Sequence, residues 1–372
     1  MTAFEELLTW RESSTSGEAI GAAIDAAGRM PEATLVLLSE ADRIVVTGAG
    51  SSYYLAQVIA AAGRAALRRP IMAAPLSELI LRPDGVLLTS AGTDGGGTGG
   101  AGAGRGGAGQ AAAREPVVII SRSGSTSEAI SVAERMRSAG HPTIAVTCRA
   151  DSRLAALADV TLVSPAGDEA AIVMTRSFAS MLALLLDVLA IVGGDVRLAA
   201  DLGQAAGRWG EAAAAAAVGR RLGTTDWSRI IVLGGGPAFG IAAEWGLKLT
   251  ETSQVPTSAY EPLEFRHGPI SVCEPGMLVV GLVGGAGARD EAEVVAEAGR
   301  LGASTWLIAG DEAEARDATG DVSLIGGGLV PTARLPLLLH PAHALALSLA
   351  LTRGRDPDAP RHLGQVVILG SE

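Results

Sequence analysis

The sequence predicts an α/β fold of two tandem lobes, each a doubly wound parallel sheet flanked by helices. Three observations carry that expectation. A strand–loop–helix–strand pattern occurs in the first half of the chain and is repeated in the second. The two copies share their punctuation: Gly48 aligns with Gly234, Gly50 with Gly236 and Ala56 with Ala242, without a gap. Finally, 48% of the 372 residues are apolar but only 3% are aromatic, so Ala, Leu, Val, Ile and Gly must fill the core. That suits helices laid on a sheet better than an aromatic-rich β sandwich.

In chain order, helical spacing covers residues 2–10 and 17–39, which makes 1–40 an N-terminal helical segment. Residues 43–47 form a short β-branched run ending in Gly48-Ala49-Gly50-Ser51-Ser52, and a helix follows over 53–67. A second strand over 117–120 leads through Ser121-Arg122-Ser123-Gly124-Ser125-Thr126 into a helix to residue 139, then a strand over 143–147. The second copy runs from a strand at 229–233 through Gly234-Gly235-Gly236-Pro237 into a helix ending near residue 252. It continues with a strand at 277–282, a loop at 283–288, a helix to residue 301 and a strand at 304–308. Such units build parallel sheets, and self-similarity on this scale marks a duplicated architecture. The stretch between the two loops is 24 residues longer in the first copy, which matches the Gly-dominated segment 91–114. That composition cannot build a core and reads as a flexible surface insertion. The first lobe is expected over 41–197 and the second over 198–372, the latter entered through a helix-rich stretch at 198–222.

A formal charge of −11 and the lack of any basic run argue against a nucleic-acid partner. They do not bar one small anion held by local dipoles. Cys148 and Cys273 are the only cysteines, which excludes a disulfide framework and a Cys-based zinc site. The five histidines lack ligand spacing, so no metal and no cofactor is expected. Residues 1–10 carry acids and lack the pattern of a secretory signal. The apolar stretches 181–192 and 335–351 are broken by Asp187 and by His340, Pro341 and His343. Neither offers the roughly 20 uninterrupted apolar residues of a transmembrane helix. A soluble, cytoplasmic chain without a membrane partner is the expectation.

A phosphate needs several donors converging on a few oxygens. Helix N-termini provide backbone N–H groups and a partial positive charge, to which Ser and Thr add hydroxyls. The first lobe offers this twice, at Ser51 and Ser52 and again at Ser121, Ser123, Ser125 and Thr126, both after strand C-termini where open α/β sheets bind ligands. The repeat supplies an internal control. The matched positions in the second lobe include Pro237, Ala238, Val283, Gly285 and Ala288, so that fold persists without hydroxyls. Helix capping explains one Ser per helix but not this cluster. Arg122 reads as a solvated side chain that could add charge. Gly48-Ala49-Gly50 does not complete a dinucleotide fingerprint, and no nucleoside-triphosphate loop motif occurs.

The second lobe carries ionisable groups instead. Glu244, Lys248 and Glu251 lie at i, i+4 and i+7 on one face of a mostly apolar helix. Tyr260-Glu261-Pro262-Leu263-Glu264-Phe265-Arg266-His267-Gly268-Pro269 follows, placing His267 in a turn beside carboxylates, where it can titrate near neutrality. Taken singly, the Glu–Lys pair also fits an exposed helix pair, and His267 a solvated turn residue.

These residues give the chain a resemblance to tandem SIS-domain sugar-phosphate isomerases, notably the group of tagatose-6-phosphate ketose/aldose isomerases and aminosugar-6-phosphate deaminases. The isomerase half of glutamine–fructose-6-phosphate aminotransferase is more distantly similar. The matching motifs are Gly50-Ser51-Ser52, the loop from Ser121 to Thr126, Met174-Thr175-Arg176-Ser177-Phe178, Glu244 with Lys248 and Glu251, Phe265-Arg266-His267-Gly268-Pro269, and Asp356-Pro357-Asp358. The resemblance implies two flavodoxin-like SIS domains, with Ser52, Ser121, Ser123 and Thr126 gripping the phosphate and Gly50 and Thr175 as further substrate contacts. It also implies that Glu251 moves a proton between C1 and C2 while His267 assists ring opening, often from the neighbouring subunit of a homodimer. The chain departs from the aminotransferase in two ways. No glutaminase domain is read here, so glutamine-dependent amination is not expected. In Pro360-Arg361-His362-Leu363-Gly364-Gln365, Gln365 stands where that relative has a Schiff-base lysine, leaving Gln365 as a neutral donor and His362 as another polar contact. The expected activity is sugar-phosphate isomerisation or aminosugar-6-phosphate deamination. The alternative is a non-catalytic sugar-phosphate sensor, although residues 1–40 lack the basic charge and length of a DNA-binding fusion.

Overall fold

The computed structural model describes residues 3–88 and 114–365; most of the glycine-rich segment 91–114 lies outside the described residues. Two five-stranded parallel sheets form the frame. The first contains β1 (Ile44–Gly48), β2 (Ile71–Pro75), β3 (Val117–Ile120), β4 (Thr143–Thr147) and β5 (Val160–Val163), in the order β2-β1-β3-β4-β5. The second contains β6 (Arg229–Gly234), β7 (Thr257–Tyr260), β8 (Met277–Leu282), β9 (Ser304–Ala309) and β10 (Asp321–Leu324), in the same order, β7-β6-β8-β9-β10. Every pairing is parallel, so each lobe is a doubly wound sheet of flavodoxin-like order. The edge strands β2, β5, β7 and β10 were not among the expected elements. They are short and only partly buried, which blurs the apolar signal that marks central strands.

Helices α1 (Leu8–Ser14), α2 (Ser16–Ala27) and α3 (Glu32–Ser39) precede the first sheet. The helix expected over 17–39 is therefore two helices, divided where Pro31 becomes the N-cap of α3. The first lobe adds α4 (Ser51–Leu67), α5 (Leu76–Leu81), α6 (Ser127–Ala139), α7 (Arg153–Leu157) and α8 (Arg176–Gly193). Next come α9 (Val196–Ala205) and α10 (Trp209–Leu222), then α11 (Pro237–Ser253), α12 (Pro262–Phe265), α13 (Ala288–Arg300), α14 (Pro331–Arg334) and α15 (Leu339–Thr352). The duplication holds in backbone detail. Gly50 and Gly236 cap α4 and α11 with the same left-handed geometry, φ 55° and 54°. Both helices have 17 residues and end in a left-handed residue, Arg68 or Gln254.

Alternation along the strands decides where the core sits. Val45, Val117 and Ile119 face an outer core with α5 and α6, while Ile231, Leu233 and Val279 face another with α13. Their neighbours Ile44, Val46, Ile230 and Val232 all point inward, into one continuous cluster with side chains of α4, α8, α11 and α15. The two lobes thus share a central core between their sheets instead of each closing around its own. Two helical stretches, Arg176–Gly193 and Pro331–Thr352, are long and apolar enough by composition to cross a membrane, yet 78% and 89% of them are buried within the protein. They serve as core helices.

The shared core brings α4 against α11. Gly240 stands at their crossing: a Cβ there would meet the Tyr54 carbonyl oxygen at 2.7 Å and Val58 N at 2.9 Å. With no side chain at that point the two backbones can close, and α11 reaches toward the first lobe's loops.

Candidate functional site

β1 and β3 are hydrogen-bonded neighbours whose following chains cross in opposite directions, so the crevice beyond their C-terminal ends is a switch point of the sheet. Both serine-bearing turns open onto it. The crevice encloses about 190 Å³ and is open to solvent on one side. Its first wall is Gly50, Ser51, Ser52, Ser121, Ser123 and Thr126. These are the first turn of α4 and the loop that leads into α6 at its N-cap Thr126; the leading N–H groups of both helices have no intrahelical partner and their dipoles favour an anion. Ser51, Ser52, Ser121 and Ser123 are each at most 6% exposed, so their hydroxyls work in a mostly dry setting. Ser121 Oγ lies 3.3 Å from Thr126 Oγ1. Gly124 gives the loop its turn, with φ +60°, and a Cβ there would sit 2.2 Å from Ser152 Oγ.

The opposite wall comes from the second lobe. Lys248 and Glu251 of α11 line the same crevice. Lys248 Nζ donates to Glu251 Oε2 at 2.6 Å and lies 3.4 Å from Glu244 Oε1. Lys248 is 2% exposed and Glu244 is fully buried, whereas the Glu251 side chain keeps 20% of its surface, on the cavity side. Burial pushes the Glu244 carboxyl up to about 8, against the pull of Lys248 and with Glu251 adding to the rise. Burial would push the Lys248 ammonium down, but its acidic neighbours, with Glu251 in the shorter contact, outweigh it and keep it charged. One ammonium cannot rely on two anions if one of them is protonated. The shorter contact makes Glu251 the counter-ion and Glu244 the neutral member of the trio.

The remaining walls hold Met174 of the quoted motif and residues that sequence reasoning did not single out: Leu76, Ile120, Ile172 and Glu128. Ile172 and Met174 belong to a loop that is tied down from below. Glu12 of α1 accepts the N–H groups of Ala170 and Ala171 at 2.7 and 2.8 Å. Buried Glu169 accepts Thr175 N at 2.9 Å and Thr175 Oγ1 at 2.6 Å, together with Ser177 Oγ. Burial raises the Glu169 carboxyl, and the Ser177 and Thr175 donors oppose that rise. Nothing in local spacing announces Glu12, which acts across 158 residues.

Several expectations are corrected. Thr175, expected as a substrate contact, does not line the crevice: it is fully buried, turned to Glu169, and positions the loop beneath Met174. Arg122 is not solvated but 6% exposed. It donates to Ala171 O at 3.0 Å and to Gln365 O at 3.0 Å, with Glu169 at 3.6 Å as its counter-ion. Ser125 is exposed and bonds within its own turn, its hydroxyl donating to Ser123 O at 3.2 Å. His267 sits exposed on the turn after α12 and does not line this crevice. Gln365 does line it, and its amide donates to the carbonyls of Glu169 and Ala170 at 3.1 and 3.2 Å. His362 is exposed and outside the lining. Asp358, from the Asp-Pro-Asp motif, caps α1 by accepting from Leu8 N at 2.7 Å and Thr9 N at 2.9 Å.

Comparison with known proteins matches the SIS domain to residues 100–191 and again to 224–323. A glutamine–fructose-6-phosphate aminotransferase of Aeropyrum pernix is 29% identical over 89% of this chain, which spans 52% of that relative's length, about half. A Streptomyces coelicolor protein provisionally named D-galactosamine-6-phosphate deaminase is 29% identical over 87% of this chain and 82% of its own. Among solved structures, a glucosamine-6-phosphate deaminase from Thermotoga maritima superposes with a TM-score of 0.73 at 25% identity, covering 97% of this chain and 99% of the other.

Proposed function

This chain belongs to the SIS-domain family, in two tandem copies, and on that footing we propose that it moves a proton between C1 and C2 of a hexose 6-phosphate, releasing ammonia when the sugar carries a 2-amino group. The observation that carries the reading is the meeting of two unlike walls. A hydroxyl-rich turn pair of the first lobe faces an ion-paired carboxylate of the second across one crevice. The first wall suits a phosphate and the second suits proton transfer.

Ser52, Ser121, Ser123 and Thr126 hold the phosphate, with Ser51 and Gly50 shaping the same turn. Glu251 then reaches the other end of an extended sugar. It removes the C2 proton of the open-chain amino aldose and returns a proton to C1. The product is a C2 ketimine, which water hydrolyses to the ketose phosphate and ammonia. With a 2-hydroxy sugar the same transfer ends at the ketose. Lys248 keeps Glu251 aimed, and Glu244 closes the dry side behind it. Gln365 is a carboxamide and cannot form a Schiff base, so the amine leaves by hydrolysis and not by transfer to the tail. His267 opens the sugar ring from a second copy of the chain, which makes the working unit a homodimer in the cytoplasm. Two of the similar proteins matched over most of their own length bear deaminase names, which supports amino sugars among the substrates.

A coupled ammonia assay on glucosamine 6-phosphate and galactosamine 6-phosphate tests this directly, and silence with both removes the deaminase reading. Glu251→Gln should retain sugar-phosphate binding while turnover falls by about 10²–10⁴-fold, the usual worth of a general base. Turnover unchanged in that variant would exclude Glu251 as the base.

A further inference from the structure

The second lobe repeats the backbone of the phosphate-facing turns but fills it differently. Val283 N donates to Ile308 O at 3.0 Å just as Ser121 N donates to Val146 O at 3.0 Å, which fixes the alignment of the two loops. Gly284 then stands where Arg122 does, Gly285 where Ser123 does, and Gly236 where Gly50 does. In the second lobe each of these three backbone N–H groups points at a carboxylate. Gly236 N donates to Glu261 Oε2 at 3.4 Å, Gly284 N to Glu291 Oε2 at 3.3 Å and Gly285 N to Glu314 Oε1 at 3.2 Å. Glu314 Oε2 is held by Gly310 N at 2.6 Å and by Arg334 Nη1 at 3.2 Å.

The matched positions of the first lobe carry no acids. Strand register places Pro75 opposite Glu261 and Ser152 opposite Glu314, and the loop alignment places Ala129 opposite Glu291. Pro237, in the place of Ser51, removes one more N–H donor. The crevice that remains, about 70 Å³, includes Gly235, Pro237, Val283, Gly284, Glu291 and Arg334 in its lining. Glu314 already pairs with Arg334 and Glu291 lines the same crevice, so an arriving phosphate meets like charge. Burial holds the Glu261 and Glu291 carboxyls above their usual range, while the N–H groups of Gly236 and Gly284 oppose that rise. Arg334 is 3% exposed, and its Nε is buried with no hydrogen-bond partner among the described residues. A cation suited to an anion is therefore already in place.

We infer that the second lobe keeps a latent anion cradle occupied by its own glutamates, so that each chain takes up one sugar phosphate and the second crevice admits an anion only when those carboxylates are removed. The count of one rests on the reading of the first-lobe crevice given above; the occupancy of the second crevice does not. Equilibrium dialysis of the full chain with glucosamine 6-phosphate and with inorganic phosphate tests both. Wild type should bind one of either per chain, Ser52→Ala/Ser123→Ala none, and Glu261→Ala/Glu291→Ala two phosphates. A second site in wild type, or one surviving in Ser52→Ala/Ser123→Ala, overturns the inference. So does a folded Glu261→Ala/Glu291→Ala protein that gains no phosphate. If that variant does not fold, the serine variant decides. Wild type that binds nothing would defeat the first-lobe reading alone, provided Glu261→Ala/Glu291→Ala still gains one phosphate.

Discussion

Glu244→Gln isolates the electrostatics behind the site. The wild-type carboxyl is fully buried and pushed up to about 8, from the 4.5 usual for a glutamate. An acid whose folded value is raised keeps its proton in the native state while the unfolded chain has already released it. Wild-type stability from this group is therefore full below about pH 4.5 and is lost as pH rises toward 8. At 1.36 kcal/mol per pK unit, the loss between pH 5 and pH 8 is about 3–4 kcal/mol for this one group. Glutamine keeps the shape, resembles the protonated acid and cannot ionise. Urea unfolding of wild type and variant at both pH values gives the comparison, because every other titrating group is common to the pair. The variant should gain about 3–4 kcal/mol relative to wild type on moving from pH 5 to pH 8, at unchanged slope of the transition. A difference between the two proteins that is the same at both pH values would refute the assignment of Glu244 as a neutral buried acid.

Arg122→Met should cost about 3–5 kcal/mol, because it strands Glu169 without its counter-ion, and should raise KM by releasing Gln365 and Ala171; Arg122→Lys should rescue little, since one ammonium cannot reproduce the guanidinium fork. Urea midpoints and KM check both effects. Gly124→Ala forces a Cβ to within 2.2 Å of Ser152 Oγ at a left-handed φ, so sugar-phosphate affinity should fall at least about tenfold, the equivalent of 1.4 kcal/mol. Adding Ser152→Gly should restore part of it, as read by calorimetry. Gly240→Ala overpacks the α4–α11 crossing and should cost about 1–3 kcal/mol; kcat should fall more than phosphate affinity, because α11 carries Glu251 and the serines stay in place.

The central strands were legible because burial on both faces leaves short β-branched runs such as 117–120, and the duplication was legible because Gly50 and Gly236 need the same left-handed φ. The serine turns and the charged face of α11 could be read for a related reason: their chemistry is local, within one turn or one helix face. What could not be read is whatever depends on contacts distant in sequence. Arg122 looked like a surface residue between two serines because its partners, Ala171, Glu169 and Gln365, lie 49, 47 and 243 positions away. Thr175 shared a motif with site residues yet turns away from the crevice, since a motif does not say which face of a loop points inward. The shared core was hidden for the same reason, as two repeats read separately give no hint that their inner faces meet.

The glycine at the α4–α11 crossing has a consequence for how the crevice can vary. The closeness of two backbones there, with the Tyr54 carbonyl oxygen 2.7 Å from where a Cβ would stand, sets how far α11 carries Glu251 toward the first lobe. Side chains around the crevice can be exchanged without moving that helix, so the width of the cleft and the identity of its lining are separately adjustable, with one hydrogen atom at Gly240 as the hinge pin between them.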